Sequence, residues 1–217
     1  MDKRCIPLIL NKPFEKTACG ASRFWGNPDL PEGTDYPMYT DDGGESYPYV
    51  FICQLNLEEL APYDTENRLP HTGVLSFFAK IDHYMGYFAD TDCIGGYVSE
   101  PDAVKLIYSP SVENMREVVI LDEEEKPWSP EELEIKFSGN TDMPLEEHAL
   151  FAPPAHREWE TWDTPFENWE ILLQIDSFDG MDFHLNFMDC GVLDFLIDPE
   201  DLAAGKFDNV RAIVLST

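Results

Sequence analysis

The chain has 217 residues, 43% of them hydrophobic, which supports a sizeable core and excludes a disordered acidic tail. Its 43 Asp and Glu against 14 Lys and Arg give a net charge of −29. A field of that sign repels phosphate backbones and argues against general binding of DNA, RNA or anionic membrane.

No run of 18 apolar residues occurs, so no segment is expected to span a bilayer. Ile6–Leu10, interrupted by Pro7, is too short for a signal-peptide core. The five cysteines are odd in number, widely spaced and without CxxC, so they read as reduced, mostly buried thiols in a cytoplasmic protein. Seventeen prolines and thirteen glycines argue against long helices, and the aromatic content favours sheet.

In chain order, Ile6–Leu10 predicts a first strand. Ser22–Pro37, rich in Gly and Pro, is expected to lie extended over other elements without forming one. Thr40–Tyr47 reads as a turn. Pro48–Leu55 is a strand apolar on both faces. Asn56 with Glu59 three residues on predicts a capped short helix over LEEL, stopped by Pro62.

Val74–Ile81 and Ala103–Ser109 are further strands, with a shorter one at MGYFAD. Glu113–Glu134 is an acidic block of nine carboxylates with only Arg116 and Lys126. Ser129-Pro130-Glu131-Glu132 carries a helix-start signature. Asp142–Phe151 predicts a second short helix, and Thr164–Glu167 repeats the cap pattern. Strands follow at Trp169–Ile175, Asp182–Phe187, Val192–Asp198 and Val210–Leu215. A helix capped by Asp198 and ended by Gly205 precedes the last strand.

The halves echo one another. FICQLN, GVLSFF and VKLIY in the first match LLQID, GVLDFL and VRAIVL in the second. The expectation is one domain over 1–217, with submodules 1–110 and 165–217 around an acidic insertion 111–164. Its fold class is α+β, mostly antiparallel β with short capped helices and an internally duplicated sheet module.

The order NPDLPEG, PYVFICQLNLEEL, LPHTGVLSFFAK, ILLQID and MDCGVLDFLIDPEDLAAGKFDNVRAIVL resembles the YwqG-like family over residues 20–217. The resemblance implies a mostly β, internally duplicated bacterial cytosolic protein without an established reaction. Members encoded near toxin systems suggest a protective partner role. Relatives tend to carry Gly-Gly-x-Pro where this chain has Trp25-Gly26-Asn27-Pro28, which puts a two-glycine turn in question. The family carries over no catalytic residues.

The residues give no GxSxG, HExxH, GxGxxG or GxxxxGKS, so no catalytic residue is assigned and no cofactor is expected. The loop from Asp176 fails the calcium pattern, with Phe178 third and Phe187 twelfth. Asp182 and His184 share a strand face and are the candidates for a metal, for which no site is expected. Cys190, before Gly191, reads as a buried thiol.

Gln54 and Gln174 sit at matching places in apolar strands. They either tie down loops or line a cleft; Arg23, in a chain rich in carboxylates, either pairs with one of them structurally or is a further cleft candidate. Trp128, Trp159 and Trp162, with Glu158, Glu160 and Asp163, form an acidic aromatic set suited to a basic protein partner. The favoured function is non-enzymatic binding of a basic polypeptide. The alternative is a small-ligand-binding protein or hydrolase using a cleft between the two sheet modules.

Overall fold

The computed structural model describes residues 5–41, 43–81, 93–139, 148–154, 162, 164–180 and 183–215. In chain order its elements are β1 (Ile6–Asn11), β2 (Arg23–Phe24), β3 (Asp29–Pro31), β4 (Met38–Thr40), β5 (Ser46–Pro48), β6 (Val50–Asn56) and α1 (Leu57–Leu60). Then come β7 (Val74–Ala79), β8 (Val104–Ser109), β9 (Met115–Glu117), β10 (Leu133–Phe137), β11 (Ala149–Leu150) and β12 (Glu170–Asp176). The chain ends with β13 (Phe178–Gly180), β14 (Phe183–Leu185), β15 (Val192–Ile197), α2 (Pro199–Ala203) and β16 (Arg211–Leu215).

The chain divides into two units. Unit 1 comprises Met1–Ile9, Lys80–Val104 and Phe137–Thr217; unit 2 comprises Leu10–Ala79 and Lys105–Lys136. Unit 2 is built on the strand order β10-β2-β6-β7-β8, unit 1 on β1-β11-β12-β15-β16. The pairings resolved in both are antiparallel.

The duplication extends to register. Gln54 lies opposite Ser76 and Gln174 opposite Asp194. A register shift falls between Phe51 and Cys53 in β6, and between Ile171 and Leu173 in β12, the same distance ahead of each glutamine. Gly73 and Gly191 open the matching strands β7 and β15. A Cβ at Gly73 would overlap the Ser109 carbonyl at the end of β8; one at Gly191 would overlap the Leu215 carbonyl at the end of β16. Two modules that close on a glycine at the same point share one solution to packing a third strand against the first turn.

Both helices start as their capping residues require. Asn56 accepts from the Glu58 and Glu59 N–H groups, and Asp198 from those of Glu200 and Asp201. Leu57, Leu60 and Leu202 are the buried helical residues. Leu30, Tyr36, Tyr49, Phe51 and Phe78 form an aromatic cluster in unit 2. Unit 1 packs Ala149, Ala152, Trp162, Ile171, Val192, Leu196, Ile213 and Leu215. Beyond β16, the chain over 95–99 supplies further hydrogen bonds, with Val214 N–H donating to the Gly95 carbonyl and Ser99 N–H to that of Ala212.

Several expectations are corrected. Ser129–Glu132 starts no helix: the chain runs into β10, and the Glu132 carboxylate binds the Thr17 N–H and Arg23 instead of its own turn. Ser22–Pro37 contributes two strands, β2 within the main sheet of unit 2 and β3 against β9. Thr40–Tyr47 includes strand ends, because β4 and β5 form a hairpin. Ala149–Leu150 is strand; the rest of the expected helix up to 147, and MGYFAD, lie outside the described residues.

The cysteines are free, but only Cys53 is fully buried; Cys19 and Cys190 are exposed. Cys190 stands in a tight connection at φ 57 just before β15, which turns it outward. Among the described residues, no helix is long and apolar enough to cross a membrane.

Candidate functional site

Unit 2 carries an open depression of about 570 Å³. Lys12–Lys16 line it from the segment after β1, Gly26 and Asn27 from the turn after β2, and Glu117 from the end of β9. Pro127 and Ser129–Glu132, on the approach to β10, complete the lining. Phe14 is fully exposed at 101%.

The turn after β2 forms despite the tryptophan. Trp25 holds φ 54 and Gly26 φ 71, so two successive residues are left-handed where the resemblance implies two glycines. Such a conformation is costly for a bulky side chain. Trp25 is fully buried and stacks on Phe24 with ring centroids 4.9 Å apart, and this packing holds the turn. A Cβ at Gly26 would press on the Glu132 side chain, at 2.7 Å, so only glycine lets the two segments meet.

The polar groups of the depression are largely paired. Lys16 Nζ donates to both Glu117 oxygens at 2.7 and 2.6 Å, and Asn27 Nδ2 adds a bond of 3.0 Å. Burial pushes the Glu117 carboxyl up, but the hydrogen bonds from Lys16 and Asn27 outweigh it and leave it below the usual range. Lys12 lies 3.9 Å from Glu131.

Behind the depression lies a buried network. Arg23, 1% exposed, forms an ion pair with Asp29 and donates to Glu132 at 3.2 Å and to Thr17 Oγ1 at 3.1 Å. Asp29 also accepts from the Gly20 N–H at 2.7 Å and from Gln54 Nε2 at 3.0 Å. Gln54 Oε1 accepts from the Asp29 N–H, and Nε2 also donates to the Ala21 carbonyl. Arg23 and Gln54 thus tie the segment between β1 and β3 to the sheet, and neither belongs to the lining of the depression.

The acidic block forms a hairpin at the same place. The Val118 N–H donates to the Pro28 carbonyl, and Trp128 N–H to that of Ile120. At the tip, Asp122 Oδ1 accepts from the Glu124 and Lys126 N–H groups. Val118 and Ile120 pack onto the aromatic cluster, while Val119 and Leu121 are left exposed at 44% and 55%. Lys126 pairs with Glu124 at 2.6 Å; among the described residues Glu123 and Glu125 form no ion pair. The returning arm from Pro127 lines the depression.

The other sequence candidates are scattered. Trp128 is half-buried in the hairpin. Trp162 is buried in unit 1 and donates its Nε1–H to the Trp169 carbonyl, so it presents no docking surface. Trp159, Glu158, Glu160, Asp163 and Asp182 lie outside the described residues, and for His184 only the backbone pairing with Asp179 is described. Gln174 is buried in unit 1 between Ala149 and Asp194. Among the described residues, no group of three or more His, Cys, Asp or Glu is placed to hold a metal ion.

Sequence reasoning missed Asp29 and Glu132 as the partners of Arg23, and Asp194 altogether. Asp194 had a signal: it replaces Ser76 in the GVLSFF–GVLDFL echo, the one charge in an apolar run.

A family model described as a domain of unknown function (DUF1963) matches residues 22–168 and 145–214. The chain belongs to this YwqG-like family. The DUF1963 matches begin beside β2 and just before β11, the strands that lie second in the two sheets. No curated protein matches the chain.

Proposed function

We propose that the protein is a non-enzymatic binding protein that receives a basic polypeptide on the acidic hairpin and adjoining depression of unit 2. One observation carries this reading: among the described residues Glu123 and Glu125 are exposed without ion pairs, on a hairpin that also exposes Val119 and Leu121. Apolar side chains would anchor the partner, and the carboxylates would steer and select it. Phe14, fully exposed in the lining of the depression, supplies aromatic surface in the same unit. A net charge of −29 raises the encounter rate with a cationic partner and disfavours nucleic acid and anionic membranes. Five free thiols support a reducing, cytoplasmic setting.

The test compares the full chain with a variant carrying Glu123→Gln, Glu124→Gln, Glu125→Gln and Leu121→Ser. Each is immobilised, loaded with native lysate at low salt, and eluted with rising salt. The expected result is a set of basic proteins retained by the wild type, released by salt and lost from the variant. Identical retained sets would sink the proposal.

A further inference from the structure

Asp194 sits on β15, paired on one side with β12 and on the other with β16. On β15 it lies between Val192 and Leu196, which belong to the apolar cluster of that unit, and strand alternation places it on their face. Its register neighbours are Gln174 on β12 and Ile213 on β16. It is 1% exposed, and among the described residues neither carboxylate oxygen has a hydrogen-bond partner. A charged carboxylate so placed gives up its hydration with nothing in exchange, so the neutral acid is the form that fits.

The fold itself does not demand an acid here. The matching position in unit 2 is Ser76, opposite Gln54, and that module closes on the same register with a small neutral hydroxyl. Asp194 thus places a titratable group where the sister module has none.

We propose that Asp194 is a proton-sensitive latch of unit 1: as a neutral acid it lets β12, β15 and β16 pack, and its ionisation as pH rises loosens them. Burial drives its carboxyl well above the ordinary range. The sign follows from linkage. The unfolded chain loses this proton in the ordinary carboxylate range while the folded chain keeps it, so stability falls as pH rises beyond that range.

Among the described residues, the other titratable or charged groups on neighbouring elements do not take over this role. Arg211 on β16 donates to Asn209 and lies over the Phe166 ring, 5.8 Å from its centroid. Asp176 on β12 is half-buried and donates its N–H to His148 Nδ1. His148, ahead of β11, is held neutral by burial down to about 4. Cys5, ahead of β1, has its thiol pushed up by burial.

The test follows urea unfolding of the full chain at several pH values between about 5 and 9, for wild type, Asp194→Asn and Asp194→Ser. Relative to either variant, the wild-type ratio of folded to unfolded chain should fall about tenfold per pH unit until Asp194 ionises. Parallel curves for wild type and variants would overturn the proposal. If neither variant folds, carboxyl-carbon NMR of wild type labelled at aspartate decides. One carboxyl should stay protonated well above the ordinary range while the β15 amides are protected. Every aspartate titrating in the ordinary range would refute it.

Discussion

The Arg23 guanidinium and the Asp29 carboxylate are both almost wholly buried, so each depends on the other for its charge. Replacing Arg23 by Met should destabilise the chain by about 3–5 kcal/mol, since Asp29 is then a buried charge with only amide donors. Adding Asp29→Asn should recover part of that loss. Urea unfolding checks both, and a loss well under 1 kcal/mol would contradict the network.

His148 gives a pH dependence of the opposite sign to Asp194. Burial lowers its folded value to about 4, so the unfolded chain takes up the proton first. Relative to His148→Gln, wild-type stability should fall by about 1.4 kcal/mol per unit as pH drops from about 6.5 towards about 4, a slope set against that of Asp194 in the same range. The thiols divide by exposure. In the native protein an alkylating reagent should modify Cys19 and Cys190, while Cys53, fully buried and with its thiol pushed up, should react only on unfolding.

At the scale of elements, the two modules make matched predictions. Gly73→Ala, at φ 85 and against the Ser109 carbonyl, and Gly191→Ala, against the Leu215 carbonyl, should each cost about 2 kcal/mol or more by thermal or urea unfolding. Asn56→Ala and Asp198→Ala should each cost about 1 kcal/mol through the lost cap. The caps were readable in the sequence because they are local: Asn56 and Asp198 bond N–H groups two and three residues on. The duplicated order of β6–β7–β8 and β12–β15–β16 was readable for a related reason, since apolar runs marked by one glutamine and one glycine recur in the same order. Ser129–Glu132 carries the same local signature, yet Glu132 answers to Arg23, 109 residues away in the chain. No window of sequence contains that contact. The strand β2 was hidden likewise, because two residues show no period and become strand only where β6 and β10 receive them.

For the whole molecule the governing quantity is the charge of −29. Its self-repulsion should weaken as the Debye length shrinks from about 30 Å at 0.01 M to about 8 Å at 0.15 M salt. The unfolding midpoint should therefore rise with salt while partner binding weakens, two opposite trends from one cause. The sequence carried this total but not its arrangement. Trp162 carries the same acidic-aromatic signature as Trp128, but it is consumed by the core of unit 1, whereas the hairpin from Val118 to Trp128 keeps Val119, Leu121 and the carboxylates of Asp122 to Glu125 outside.

The most direct test is hydrogen exchange on the full chain with and without a lysine-rich peptide containing leucine, at low and at high salt. Protection gained over 12–16 and 117–132 at low salt, and lost at high salt, is the predicted result. Protection confined to other segments, or none at low salt with peptide in excess, would contradict the account.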